Sequence, residues 1–268
     1  MSAPESTSTT LRKHERFTSE FLPDTRDLIV YLPPGYDAVP LRRYPVLYLH
    51  DGQNLFDGAT AFVPGQDWQV NATADGLIRR GEIEPLIIVG IYNTGEHRIH
   101  EYTPTRDRRQ RAGGDAGLYG RMLTEEVKPF IDAGYRTLED PSETGLGGSS
   151  LGGLVTLYLG LLYPQVFGRL AVLSPSVWWD GRVILRVVRM TSPKPRLKIW
   201  LDIGTGEGKK TVLDARALRN ELIRAGWVVG EDLQYSEIPD AGHNEASWAS
   251  RVGPFLKYLF PAKTVSSL

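Results

Sequence analysis

Residues 147–153 read GGSSLGG and contain the pattern G-x-S-x-G as Gly148-Ser149-Ser150-Leu151-Gly152. The spacing selects Ser150, because a pattern centred on Ser149 would place Leu151 where the second glycine must lie. A nucleophilic serine on a tight strand-to-helix turn must expose its Oγ from a strained backbone, and flanking glycines remove Cβ atoms that would clash there. An extended run precedes Ser150 and the apolar segment LGGLVTLYLGLLYP follows. The start of that helix aims free N–H groups at any negative charge that develops. The plainer reading, a glycine-rich turn closing on a helix, is the weaker one in this context.

A serine nucleophile needs a base, and Pro239-Asp240-Ala241-Gly242-His243 stands directly after the run DLQYSEI. His243 is the candidate among five histidines. His14 falls in an opening hairpin, away from the strand ends. His97 and His100 form an H-x-x-H pair without a nearby third ligand, so no metal is expected. His50 and Asp51 end a strand beside the site and are expected to brace a loop by hydrogen bonds. A carboxylate must accept the imidazole Nδ1–H, fix its tautomer and stabilise the imidazolium. It is sought after LKIWLDI, where Gly204-Thr205-Gly206-Glu207-Gly208 stands. Glu207 is preferred to Asp202, which lies within the strand. Two N–H donors must hold the oxyanion: Leu151, the residue after the nucleophile, and Gln53 in the loop His50-Asp51-Gly52-Gln53-Asn54, with Gly52 as the fallback.

The segment GTGEGKKT imitates a phosphate-binding loop. The motif laid from Gly204 requires glycine at 209 and finds Lys209, and only about 57 residues follow, too few for a nucleotide-binding sheet. The segment RIHEYTP, with Arg98 and Tyr102, and the arginines 106, 108, 109 and 111 beyond it, form a basic stretch. Arg98 and Tyr102 are candidates to line a pocket for an anionic acyl or sugar group, although a solvated surface loop is the preferred reading of the stretch.

These residues must be carried by a fold, and the composition narrows it. The chain has 268 residues, 31 Lys+Arg against 32 Asp+Glu, a net charge of −1 and 41% hydrophobic residues. That is an ordinary globular composition with room for a large core. Cysteine is absent, which removes disulfides, thiolate nucleophiles and cysteine metal cages and leaves oxygen or nitrogen as the nucleophile. The balanced charge argues against nucleic acid as a main partner. No run approaches ~18 apolar residues, so no membrane span is expected. The polar N-terminus lacks the apolar stretch of a secretory signal, which makes a cytoplasmic location the expectation.

Short Val/Ile/Leu-rich runs alternate with helical patterns: PVLYLH (45–50), a helix near 71–81, PLIIVGIY (85–92), a helix near 118–131, TGLGGS (144–149), the apolar helix, GRLAVLS (168–174), a helix near 182–190, LKIWLDI (197–203), a helix near 212–225, DLQYSEI (232–238) and a helix near 246–259. Residues 11–32 read as an antiparallel hairpin around Pro23-Asp24-Thr25. Uninterrupted apolar strands separated by helices predict a mostly parallel eight-stranded α/β sheet with helices on both faces. A single domain is expected over 11–262, with tails over 1–10 and 263–268. Ligands bind such sheets at the carboxyl ends of the strands. Only about 22 residues (175–196) separate the sixth and seventh strands, so an open, shallow site without a large lid is expected.

The segments YLPPGY, VLYLHDGQNLFD, EYTP, GGSSLGG, LSPSVWW, LDIGTGEG and AGHNEASW together resemble the esterase D-like family of α/β-hydrolases over about Leu28 to Phe260. That family includes S-formylglutathione hydrolases, enterobactin-type trilactone esterases and feruloyl or acetylxylan esterases. The resemblance implies a cofactor-free serine carboxylesterase acting on a small-molecule ester, with Ser150, Glu207 and His243 as its triad; the alternatives are a non-catalytic binding or scaffold protein on the same fold and an acyltransferase using the same triad. It also implies that Trp178 and Trp179 in LSPSVWW line the acyl pocket, although they serve equally well as core aromatics. A glutamate stands where the family often has aspartate, and His-Asp-Gly replaces the commoner His-Gly, a form closer to the trilactone esterases.

Overall fold

A computed structural model of the protein describes residues 10–263. The expected tails lie outside the described residues apart from their inner ends. Thr10 already opens a strand, and Lys263 is paired with Glu84 and Glu143.

The elements in chain order are β1 (Thr10–Phe17), β2 (Arg26–Leu32), β3 (Val46–His50), α1 (Val70–Arg79), β4 (Ile87–Ile91), α2 (Arg98–Glu101), α3 (Ala116–Arg121), α4 (Lys128–Gly134), β5 (Thr144–Ser149), α5 (Leu151–Leu162), β6 (Arg169–Leu173), α6 (Trp179–Met190), β7 (Lys198–Gly204), α7 (Lys209–Arg224), β8 (Leu233–Ile238) and α8 (Glu245–Leu259). A π-helical segment, Met122–Val127, joins α3 to α4. The sheet has eight strands in the order β1-β2-β4-β3-β5-β6-β7-β8. Pairings β1·β2 and β2·β4 are antiparallel, and every pairing from β4·β3 to β7·β8 is parallel. The α/β sheet with helices on both faces is therefore as the apolar runs predicted.

Strands β3, β4 and β5 are buried along their whole length. This is the mark of a sheet covered on both sides. Two apolar clusters cover its faces. One gathers β2, β4, β5 and β6 residues with the α3–α5 region and α6, including Val89, Leu146, Tyr119 and Trp179; the other packs α1 and α8 on Leu47, Ile88 and Ala171. The helix expected near 182–190 is assigned from Trp179, but Asp180, Gly181 and Arg182 all have left-handed backbones, so regular helix begins only beyond them. Strand registers bring the ends of β3, β5, β6, β7 and β8 to one edge of the molecule, where the loops after His50, Ser149, Leu173, Gly204 and Ile238 meet.

Candidate active site

Ser150 occupies the single residue between β5 and α5, with φ 60° and ψ −121°. A non-glycine residue in that region is strained and persists only where its surroundings hold it. Three backbone bonds do so: its N–H donates to the Leu173 carbonyl at 3.0 Å, and its carbonyl accepts from Leu154 at 3.1 Å and Ser176 at 3.0 Å. Gly148 is required by close approach, since a Cβ there would lie 3.0 Å from the His50 ring.

The Ser150 Oγ lies 3.0 Å from His243 Nε2, and His243 Nδ1 lies 2.7 Å from Glu207 Oε2. The three residues that the sequence singled out on three separate loops thus form one hydrogen-bonded chain. His243 is half exposed, with its ring edge against Trp248 at a centroid distance of 4.9 Å, while the Glu207 side chain is buried. The position of His243 is fixed from below. The Gly242 N–H donates to Ser247 Oγ, and the Asn244 side chain caps α8 by accepting from the Ser247 N–H.

Glu207 Oε1 accepts from the Ser174 hydroxyl at 2.5 Å and from the Gly204 N–H at 2.9 Å. Burial pushes this carboxyl upward, but the hydrogen bonds to His243, Ser174 and Gly204 outweigh it and hold the group below the ordinary glutamate range. Asp202, the alternative acid, points elsewhere. It is fully buried and accepts from Trp200 Nε1 at 2.7 Å and from Arg251 Nη1 at 2.8 Å.

Ser174, Arg251 and Trp248 are the partners that sequence reasoning missed. Arg251 Nη1 and Trp248 Nε1 both donate to Ser174 Oγ, at 2.7 and 3.2 Å, so the hydroxyl is oriented to donate to Glu207. A signal for Arg251 was present. In α8 the buried face runs Trp248, Val252, Phe255, Leu256, Leu259, and an arginine at 251 falls within that stripe.

The loop after β3 is braced in the way expected of it. His50 is fully buried, with Nδ1 2.9 Å from the Tyr119 hydroxyl, and burial lowers its pKa to about 3. Asp51 accepts a two-pronged bond from Arg98, at 2.7 Å on each oxygen, and another from Asn93. Burial opposes ionisation of Asp51, yet the Arg98 guanidinium overrides it and the carboxyl stays below its usual range. Arg98 is itself anchored: its helix α2 is tied to β2 by the buried pair Arg26–Glu101, with two bonds of 2.9 Å. Gly52 and Gln53 begin a 3-10 turn, Gly52–Asn54, and Leu151 begins α5. Their N–H groups therefore have no acceptor within their own helical turns.

A cavity of about 530 Å³ opens on Ser150, lined among others by Asp51, Asn54, Phe62, Arg98, Glu245 and Trp248. Arg98 stands in its wall, but the other pocket expectations need correcting. Tyr102 is fully buried beneath Arg98, stacked with His50 and Tyr119, because α2 turns its ring inward. Trp179 is a core residue with no exposure, its Nε1 donating to the Thr105 carbonyl at 2.9 Å. Trp178 is exposed but faces a different cavity. Phe62 and Glu245 were not anticipated as wall residues. No cluster of three or more His, Asp or Glu side chains suited to a metal occurs among the described residues, and no helix there is long and apolar enough to cross a membrane.

The family described as "Putative esterase" matches residues 19–258. The chain belongs to this esterase family. It is a carboxylic-ester hydrolase. It is 32% identical over 227 residues to an endo-1,4-beta-xylanase/feruloyl esterase of Xylanibacter ruminicola, covering 80% of this chain and 28% of that protein. It is 28% identical over 239 residues to the iron(III) salmochelin esterase of Escherichia coli O6:H1, covering 84% of this chain and 52% of the relative. The chain thus spans about half or less of the length of these two esterases. In three dimensions it resembles the crystal structure of the Shigella flexneri enterobactin esterase, with a TM-score of 0.76 at 23% identity over 96% of this chain and 59% of that one.

Proposed function

We propose that the esterase works through an acyl-enzyme on Ser150, with His243 as general base and Glu207 as the acid that orients it. The observation that carries this reading is the pair of bonds Ser150 Oγ–His243 Nε2 at 3.0 Å and His243 Nδ1–Glu207 Oε2 at 2.7 Å, within reach for proton transfer. His243 takes the Ser150 proton as Oγ attacks the ester carbonyl, and Glu207 steadies the imidazolium. The oxyanion is held by the N–H groups of Leu151 and Gln53, both at helix starts. His243 then protonates the leaving alcohol, and water attacks the acyl-enzyme with the same base. No cofactor takes part in these steps.

The substrate is a small-molecule ester with a polar or bulky acyl or alcohol part. The mixed lining of the cavity, apolar at Phe62 and Trp248 and charged at Arg98 and Glu245, supports this, as do relatives named for feruloyl and salmochelin esters.

The test is turnover of p-nitrophenyl acetate and butyrate by the protein and by Ser150→Ala. The variant's kcat should fall by about 10⁴-fold or more, the scale seen when such nucleophiles are removed. Retention of most of the activity by Ser150→Ala would remove the serine from this role.

A further inference from the structure

A second and larger cavity, about 720 Å³, lies beside the start of α6, with Trp178 in its wall. The basic stretch beyond EYTP has no part in the ester site, yet Arg106, Arg108 and Arg109 line this cavity together with Arg182 and Lys210. The three carboxylates of the lining are already engaged. Asp107 accepts from the N–H groups of Arg109, Gln110 and Asp180. Asp180 accepts from the Thr105 hydroxyl at 2.7 Å, and Asp214 pairs with Arg182 at 2.5 Å. Arg106, Arg108, Arg109 and Lys210 have no carboxylate within ion-pair distance among the described residues. With Arg182 and Asp214 paired, Arg106, Arg108, Arg109 and Lys210 face one concave space against the two carboxylates Asp107 and Asp180, an excess of positive charge in a protein whose net charge is only −1.

The wall also offers an aromatic face. Trp178 is 41% exposed, whereas the other five tryptophans are at most 6% exposed. The segment that builds the rim is held in costly backbone: Asp180, Gly181 and Arg182 have φ of 40°, 61° and 67°. Gly181 adopts this region freely, but the non-glycine residues Asp180 and Arg182 cost roughly 1 kcal/mol or more apiece unless the surroundings fix them. Here the bonds to Asp107 and Thr105 fix Asp180, and the ion pair to Asp214 fixes Arg182.

We propose that this cavity binds a phosphate- or sulfate-type oxyanion carried on a planar ring, with the oxyanion on Arg108, Arg109 and Lys210 and the ring against Trp178. Arginine forks suit such oxyanions, and an exposed indole gives a flat partner to a ring. The ligand has two possible sources, an appendage of the ester itself or a separate small anion. The first is sterically direct, since Trp178 follows Ser176 by two residues and Ser176 Oγ is 3.4 Å from Ser150 Oγ. That first source rests on the function proposed above; binding in the cavity does not.

The experiment is calorimetric titration of the full chain, and separately of Ser150→Ala, with 1-naphthyl phosphate and with neutral 1-naphthol. The phosphate should bind both proteins, weaken about tenfold or more when salt rises from 0.05 to 0.5 M, and outbind the naphthol. Lys210→Gln should weaken it by about tenfold, the loss expected of one charge-assisted contact, Arg108→Ala with Arg109→Ala by about a hundredfold for two, and Trp178→Ala by several-fold for the lost ring contact. Turnover of p-nitrophenyl butyrate should stay as in the parent, which shows the variants folded. Competitive inhibition of that turnover by 1-naphthyl phosphate assigns the cavity to the substrate's own anionic part, and non-competitive inhibition assigns it to a separate anion. Absence of binding, or equal binding by the parent and all the variants, overturns the proposal.

Discussion

Glu207 divides its two oxygens between two tasks, Oε2 for the His243 ring and Oε1 for the Ser174 hydroxyl and Gly204 N–H. Replacing it by glutamine keeps the shape but offers an NH₂ where an acceptor is needed. Glu207→Gln should therefore lower kcat toward p-nitrophenyl butyrate by about 10⁴-fold, as loss of the correct imidazole tautomer does elsewhere. Asp202→Asn should act on stability instead. It removes the closer of the two carboxylates that face buried Arg251, leaving Glu207 at 3.6 Å, at a cost of about 1.5–3 kcal/mol in denaturant unfolding, while the folded variant keeps most of its kcat. The reverse ranking in turnover would transfer the acid role to Asp202. His50 makes a second prediction at this scale. Its pKa is about 3 in the fold and about 6.5 in the unfolded chain. Between those values the unfolded chain binds the proton that the folded one refuses, so stability falls as pH falls through that window, by up to about 1.4 kcal/mol per pH unit. His50→Asn should flatten the loss of unfolding free energy between pH 7 and pH 4.5; an unchanged slope would show that His50 does not contribute.

The elements bring these residues together by closing loops on one another. The acid loop after β7 and the histidine loop after β8 are tied by the Gly206 N–H to the Ala241 carbonyl at 3.0 Å and by the Asp240 N–H to Thr205 Oγ1 at 2.8 Å. A Cβ on Gly204 would sit 2.1 Å from the Ala241 carbonyl oxygen, so no side chain fits between the loops. Gly204→Ala should hold them apart and lower kcat by about 10²-fold or more, because a displacement near 1 Å is enough to spoil such alignments. Its melting temperature should fall by much less than that of Asp202→Asn. Equal kcat for Gly204→Ala and the parent would mean that the loops need not touch. At this scale much was legible from sequence. Continuous apolar runs reveal strands buried on both faces, and the G-x-S-x-G turn, the glycine-bounded Glu207 and the His243 loop follow three of those runs. The walls were less legible. Trp178 and Trp179 are adjacent in the bend that precedes the regular part of α6, where one enters the core and one faces out, and residue type alone does not say which. Tyr102 went inward for a similar reason, as the ring that α2 lays on His50. Ser174, Arg251 and Trp248 converge only after β6 and α8 have packed, a contact across 77 residues that no local spacing reveals.

For the whole molecule, two cavities hold different charge environments that the balanced composition conceals. At the Ser150 cavity the Arg98–Asp51 pair cancels itself within a partly apolar lining, and in the second cavity cations outnumber carboxylates around Trp178. The stretch of 24 residues between β6 and β7 (174–197) builds α6 and the rim of the second cavity, and no separate lid domain lies over the site among the described residues. Ester hydrolysis is carried by family membership, and its route through Ser150 is the claim on which the account turns. The most direct measurement is intact-mass analysis and peptide mapping after exposure to a fluorophosphonate, which reacts only with an activated serine. One adduct per chain on Ser150, absent from Ser150→Ala and formed far more slowly in Glu207→Gln, is the result the account predicts. An unlabelled protein that still turns over p-nitrophenyl butyrate, or an adduct on another residue while Ser150→Ala stays active, would contradict it.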